Sequence, residues 1–165
     1  MLAGLTLALF VYSIGHISGC HINPAVTLGL LSVKKISLRD AAYYIGAQVV
    51  GAIFAMAVVH SLGVSTTTTP SNALTVGIAE ALGAFFFTFG IASVVAGRVH
   101  SAMNGLVVGG SLLLGIAIAA GAGSAGVLNP AVALALYLYI PAYLVGPIVG
   151  SVLGFNAYKM LNQGK

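Results

Sequence analysis

Two stretches of the chain decide its fold: GHISGCHINPAVT at residues 15–27 and GSAGVLNPAVALA at residues 123–135. Each places Asn-Pro-Ala after a run rich in Gly and Ser and before a short apolar segment. Proline is favoured at the first position of a helix, because its missing N–H would be unpaired there anyway. Asparagine directly before it is a good N-cap. Each stretch therefore predicts a helix that begins at its proline, Pro24 or Pro130.

The two stretches belong to an internal repeat. Placing Asn23 over Asn129 aligns about 28 positions without a gap. The identical pairs include Gly4/Gly110, Leu7/Leu113, Gly15/Gly121, Ser18/Ser124, Leu28/Leu134 and Leu30/Leu136. The two copies cover about residues 1–62 and 73–161 of a single channel domain, 1–165. An odd number of elements separates them, so they enter a membrane from opposite faces, as inverted repeats do in many channels and transporters.

The composition places the chain in a membrane. Of its 165 residues, 59% are apolar and 5% are charged, and the mean hydropathy is +1.09. A soluble domain carries about 25% charged residues, and the few charged side chains here could not cover a soluble surface. The composition therefore argues against a soluble enzyme, a nucleic-acid-binding protein and a disordered chain.

Five apolar runs approach the roughly 20 residues that cross a bilayer as a helix. They cover about residues 1–19, 41–62, 73–97, 103–120 and 142–161. Two shorter runs, 24–31 and 130–140, reach only about half of a bilayer at 1.5 Å per residue. The sequence thus predicts an all-α membrane protein with about five spanning helices and two re-entrant half-helices.

Charged residues indicate the orientation. The basic residues fall in three groups that this topology places on one side of the membrane: Lys34, Lys35 and Arg39; Arg98 and His100; and Lys159 and Lys165. Residues 61–72 carry no charge. Because cytoplasmic loops are rich in Lys and Arg, we expect a multi-pass protein of the plasma or inner membrane with Met1 outside and a cytoplasmic C-terminus.

The repeat also reveals an asymmetry. The second copy is preceded by the apolar run 73–97, and nothing corresponding precedes Met1. We therefore expect the first copy to lack one helix and the chain to be truncated.

The paired asparagines predict a pore. With its carbonyl oxygen used for capping, each amide leaves its NH₂ group as a donor pair. Two half-helices entering from opposite sides would meet near the midplane with their positive dipole ends. Such a centre offers donors to a passing oxygen and repels cations and protons.

Residues 15–27 resemble the first signature of the aquaporin and glycerol-facilitator (major intrinsic protein) family, and the block around Asn129-Pro130-Ala131 resembles the second. Residues 143–154, with Gly146-Pro147, resemble its last helix. The resemblance covers nearly the whole chain but omits the family's first helix. It implies six spans and two half-helices in the complete fold, a pore in each protomer and a homotetramer. The motifs Asn23-Pro24-Ala25 and Asn129-Pro130-Ala131 would form the centre of that pore.

The outer constriction departs from the family pattern. By the resemblance it maps onto Ala3, Ala117, Gly126 and Val132. The family usually places Arg where this chain has Val132, and its glycerol-conducting branch typically places Asp where this chain has Ala133. With no aromatic, cationic or polar side chain, the constriction is expected to be wider and more apolar than a strict water filter.

Five further residues are candidates for lining the pore or bracing its loops. Glu80 is an acid inside a span, and such residues are functional candidates by default; the resemblance favours a structural role, holding a re-entrant loop, over proton coupling. His16 is expected to brace the first loop rather than face solute. His21 is a candidate for lining the cytoplasmic vestibule, Ile22 is a candidate for lining the pore or bracing its loop, and Cys20 is expected to be buried and inert.

The sequence favours a passive channel for water and other small uncharged solutes. One alternative is a facilitator for glycerol or another neutral solute with a wide apolar filter. Others are a secondary transporter, for which Glu80 is the one available coupling site, and a non-conducting truncated relic. No catalytic residue, metal site, cofactor or nucleic-acid partner is predicted; with two acids in the chain, no supported catalytic arrangement exists.

Overall fold

The computed structural model describes residues 1–63 and 73–163. Within them the chain forms seven α-helices and one 3₁₀ turn, Ser101–Met103, and no strand. The helices are α1 (Leu2–Ser18), α2 (Pro24–Ser32), α3 (Leu38–Ser61), α4 (Ala73–Val95), α5 (Asn104–Gly121), α6 (Pro130–Ala135) and α7 (Pro141–Asn162). The predicted all-α class is confirmed.

Four of these helices, α3, α4, α5 and α7, are long and apolar enough to cross a membrane. α1 has 17 residues, which is about 25 Å of helix and the lower end of the spanning range. All five lie where apolar runs predicted spans. Most of the uncharged segment 61–72 and Lys165 lie outside the described residues.

The two half-helices begin at their prolines, as predicted, but the second is shorter than expected. α2 has nine residues and α6 has six. The prediction of a helix over 130–140 is wrong after Ala135. Tyr137 adopts a left-handed φ of 60°, and Ile140 is extended at φ −79° and ψ 143°, as a residue before proline prefers.

Close helix packing centres on α4, which lies between α5 and α7. Small residues permit this approach. A Cβ atom at Gly150 of α7 would lie 2.8 Å from the Cα of Ala81 in α4, and one at Gly83 would lie 2.8 Å from Leu128 Cδ2. By contrast, the backbone of α3 comes close only to the two half-helices among the described elements, and its side-chain link to α1 is the bond from Tyr44 to Ser18. In the most apolar stretch of α3, 6% of the residues are buried, against 44% in that of α4.

The repeat supplies a matched pair of glycines that tests this packing. We expect Gly150→Ala to destabilise the protein by about 1–3 kcal/mol, because the added methyl overlaps the backbone of Ala81. Gly51→Ala on α3 should be neutral or stabilise by up to about 1 kcal/mol, since a Cβ there meets nothing within 4 Å and alanine favours the helix more than glycine does. Thermal unfolding in detergent, followed by helical circular dichroism, measures both. Equal effects would contradict the packing described.

Candidate pore

Each half-helix is capped by the asparagine that precedes its proline. The N–H of Ala25 donates to Asn23 Oδ1 at 2.8 Å, and the N–H of Ala131 donates to Asn129 Oδ1 at 3.0 Å. Both asparagines are extended, with φ of −158° and −151°. The side-chain oxygens are therefore used within their own half-helices, and the amide nitrogens point elsewhere.

The amide nitrogens join the two halves of the chain. Asn23 Nδ2 donates to the carbonyl of Leu128 at 2.9 Å, and Asn129 Nδ2 donates to the carbonyl of Ile22 at 3.1 Å. Each NH₂ has two hydrogens, so each asparagine retains one donor that is not engaged by a described residue. One hydrogen of each amide therefore holds the repeats together, which leaves one donor of each pair available.

The residues that accept these bonds have a strained backbone. Ile22 and Leu128 have left-handed φ values of 38° and 53°, and Cys20 and Gly126, two residues earlier in each loop, have 52° and 67°. Side chains larger than glycine rarely adopt this region. Such conformations persist where surrounding structure holds them, and here the opposite asparagine bonds directly to Ile22 and Leu128.

A buried carboxylate holds the second loop. Glu80 on α4 is 0% exposed. Its Oε1 accepts the N–H of Val127 at 2.9 Å and the hydroxyl of Ser124, and its Oε2 accepts the N–H of Leu128 at 2.6 Å. Three donors from one loop thus converge on one acid, which fixes the carbonyl of Leu128 for Asn23.

The first loop is held differently. The Tyr44 hydroxyl donates to the carbonyl of Ser18, and the Tyr44 ring stacks on His21 with centroids 4.2 Å apart. His16 was expected to brace this loop, but its exposed side chain makes no hydrogen bond with the described residues, and Tyr44 on α3 takes that role.

Thr27 extends this network. His21 Nδ1 lies 3.2 Å from Thr27 Oγ1, which also accepts from Gln48 Nε2 at 3.0 Å. Tyr44, Thr27 and Gln48 were not predicted as site residues. One feature of the sequence could have identified Tyr44, namely its alignment with Tyr143 in the internal repeat.

Three of the four predicted constriction residues line what we call the upper cavity, about 680 Å³ in volume. Ala3, Gly126 and Val132 contribute to its wall together with Asn23 and Asn129. No charged side chain of the described residues lines it.

Ala117 does not lie in this wall. The side chain of Ala117 is exposed. Its neighbour Ile116 and, one turn earlier on α5, Leu112 line the cavity instead. Consecutive helical residues point about 100° apart, so a shift of one position moves a side chain off the lining face.

A lower cavity of about 510 Å³ is lined in part by Val26 and Leu30 of α2. Its lining includes His16, Cys20, Lys35 and Asn104, and His21 lines both cavities. Cys20 is 5% exposed and Asn104 Oδ1 is buried without a hydrogen-bond partner. Because His21 lines both cavities, they are adjacent at this residue, beside the paired half-helices.

Comparison with known proteins places this arrangement among channels. The family model described as "Major intrinsic protein" matches residues 1–158. The chain is 35% identical to aquaporin AqpM of Methanothermobacter thermautotrophicus, over 97% of this chain and 74% of that protein. It is 33% identical to aquaporin NIP6-1 and 34% identical to aquaporin NIP1-2 of Arabidopsis thaliana. These matches cover 96% of this chain but only 56% and 60% of the Arabidopsis proteins.

Replacing Glu80 tests the architecture of the second loop. We expect Glu80→Ala to destabilise the protein by about 3–5 kcal/mol, because three donors lose their acceptor in a buried site. Glu80→Gln should cost less, since its amide oxygen still accepts. The control Asp40→Ala, at an exposed position, should cost about 1 kcal/mol or less. Thermal unfolding in detergent checks the series, and a Glu80→Ala protein as stable as the parent would contradict it.

Proposed function

We propose, since this chain belongs to the major intrinsic protein family, that it is a passive membrane channel for water and small uncharged solutes. The family consists of channels rather than enzymes. The observation that carries the proposal is the pair of asparagines at the junction of α2 and α6, each with one amide hydrogen still available.

The asparagines would orient the permeant. Asn23 and Asn129 both line the upper cavity, where their remaining hydrogens can donate to the oxygen of water or of an alcohol. The N-terminal ends of the two half-helices meet at the same place and make it unfavourable for cations and protons. Pro24 and Pro130 begin the half-helices, and Ala25 and Ala131 keep their first turns small enough to meet.

The two cavities would form the path. A permeant would enter the upper cavity, pass the asparagines and His21, and leave through the lower cavity, where Lys35 is one of the lining residues. Glu80 is not exposed and is engaged by three donors. A secondary transporter needs an ionisable group free to exchange its ion, so this engagement supports a channel instead.

The wall of the upper cavity favours a permeant range wider than water. Ala3, Gly126 and Val132 offer neither charge nor side-chain hydrogen bonds there. We therefore include glycerol-sized neutral solutes among the permeants.

The basic residues support the proposed orientation. Lys35 and Lys159 line one crevice, and Arg98 Nε donates to Asn162 Oδ1 at 3.1 Å. The ends of α4 and α7 and the segment after α2 thus gather positive charge at one end of the helices, which would be the cytoplasmic end. We further propose a multi-pass protein of the plasma or inner membrane with a cytoplasmic C-terminus, and a homotetramer as the family resemblance implies.

Replacing both asparagines tests the pore. In proteoliposomes shocked with an impermeant sugar, the parent chain should shrink vesicles well above the rate of empty ones. Asn23→Asp with Asn129→Asp should lower that excess by about tenfold or more, since the donors are lost and negative charges face the carbonyls of Leu128 and Ile22. Asn156→Asp, whose amide donates to Ser32 Oγ outside both cavities, is the control. Unchanged flux in the double variant would refute this pore.

A substitution at Val132 tests the filter. Val132→Arg should lower the rate of re-swelling in glycerol by about tenfold, while water flux falls much less. The reason is that a long cationic side chain narrows the upper cavity at a position that is now apolar. Val132→Leu keeps the wall apolar and should retain glycerol flux. Equal losses of water and glycerol flux in Val132→Arg would indicate a blocked pore and contradict a wide filter.

A further inference from the structure

A basic crevice opens where three helices end. It has a volume of about 330 Å³ and lies between the segment that follows α2 and the C-terminal ends of α4 and α7. Lys35, after α2, and Lys159, on α7, both line it. No acid of the described residues does so. The crevice is separate from the upper cavity and shares only Lys35 and Val95 with the lower one.

A tight turn at the end of α2 fixes the position of Lys35. Its N–H donates to the carbonyl of Leu30 at 3.0 Å, and the N–H of Lys34 donates to the carbonyl of Leu31 at 3.0 Å. Lys34 adopts a left-handed φ of 63°, as the residue after a helix end often does. The turn separates the two neighbouring lysines, because Lys35 lines the crevice and Lys34 does not.

The usual role of lysine at a helix end is already filled here. A lysine side chain can donate to the last carbonyls of a helix, but at the end of α2 the backbone of the turn does so. At the end of α4, the carbonyl of Ser93 likewise accepts the N–H of Arg98 at 3.0 Å. The ammonium groups of Lys35 and Lys159 make no hydrogen bond or ion pair within the described part of the chain.

The acids of the chain do not neutralise these lysines either. There are two. Glu80 is 0% exposed and engaged by three donors, and Asp40 accepts the hydroxyl of Ser37 at 2.7 Å. The three helix ends contribute about half a negative charge each, which is less in total than the two full charges of the lysines. Positive charge therefore remains for a ligand.

Much of the remaining wall is apolar. It includes Val33, Ala92, Val95 and Phe155. A free phosphate ion gains nothing from such a wall, whereas a phospholipid presents its phosphate next to glycerol and acyl chains. The crevice also lies at the ends of two helices long enough to cross a membrane, α4 and α7, which is where the headgroups of a bilayer begin.

We propose that this crevice binds the phosphate group of an anionic phospholipid, with Lys35 and Lys159 as its two cationic contacts. Basic pockets between membrane helices bind acidic lipid headgroups in this way. The apolar residues of the wall would contact the glycerol and the upper acyl chain. The proposal depends on the location of the chain in a bilayer and does not require permeation.

The chain contains no tryptophan, so a single one can report on the lipid beside it. Tyr158→Trp places the reporter in the crevice wall. The full chain is reconstituted in phosphatidylcholine vesicles that contain increasing fractions of phosphatidylglycerol with brominated acyl chains, which quench tryptophan fluorescence. Leu5→Trp, at a residue that is 59% exposed and outside the crevice, is the reference reporter.

We expect the Tyr158→Trp reporter to prefer phosphatidylglycerol over phosphatidylcholine by about fivefold or more relative to the reference. Adding Lys35→Gln with Lys159→Gln should remove most of that preference, because each lysine beside an anionic headgroup contributes about fivefold. Lys35→Arg with Lys159→Arg keeps both charges and should retain it. Loss of the preference in the Arg pair as well would overturn the role of the charges.

The matched control is Lys34→Asn with Arg39→Gln. It has the same net charge as the Gln pair but changes residues outside the crevice, and asparagine tolerates the left-handed backbone of residue 34. This control should retain the preference. An equal loss in both pairs would assign the preference to general surface charge and overturn the site.

Two further outcomes would also overturn the proposal. One is a Tyr158→Trp reporter with no greater preference than Leu5→Trp. The other is reversal of its quenching by millimolar inorganic phosphate, which would assign the crevice to a soluble phosphate in place of a lipid. None of these readouts depends on flux, so their failure is distinguishable from a failure of the proposed channel activity.

Discussion

The reciprocal hydrogen bonds of Asn23 and Asn129 are the constraint on which the rest of the structure depends. Each side chain caps its own half-helix with its oxygen and holds the opposite loop with its nitrogen. Neither half-helix spans a membrane, so each needs the other to fix the position at which it begins. The left-handed backbone of Ile22 and Leu128, the three bonds to Glu80 and the small residues around α4 all serve to keep these two carbonyls in position.

Much of this could be predicted from the sequence, because the signals are local or periodic. Asn-Pro predicted both helix starts, and apolar runs near 20 residues predicted the spans. The end of α6 could not be read from hydropathy, since residues 136–140 are as apolar as a helix. What ends it is the left-handed Tyr137 and the extended residue before Pro141. Hydropathy measures burial, whereas helix termination depends on backbone conformation.

The remaining contacts depend on which helix faces meet, and spacing does not determine that. Ile116 rather than Ala117 lines the upper cavity. Tyr44 holds the first loop from α3, 26 positions from its partner Ser18. Glu80 was recognisable as an acid in a span, but its donors are residues 44 to 48 positions away. Long-range pairs of this kind emerge only when the chain is folded.

The distance along the chain between the partners of the central bonds has a consequence for biosynthesis. Asn23 and Leu128 are separated by 105 positions, and Ile22 and Asn129 by 107. A ribosome that has completed α1, α2 and α3 has produced Tyr44 but not yet Asn129, whose amide binds the carbonyl of Ile22 in the first loop. The segment from α1 to α3 must therefore wait in the bilayer without this bond until translation has passed Asn129. Closure of so long a loop is slow, which makes this interval the time at which quality-control proteases would meet the nascent protein.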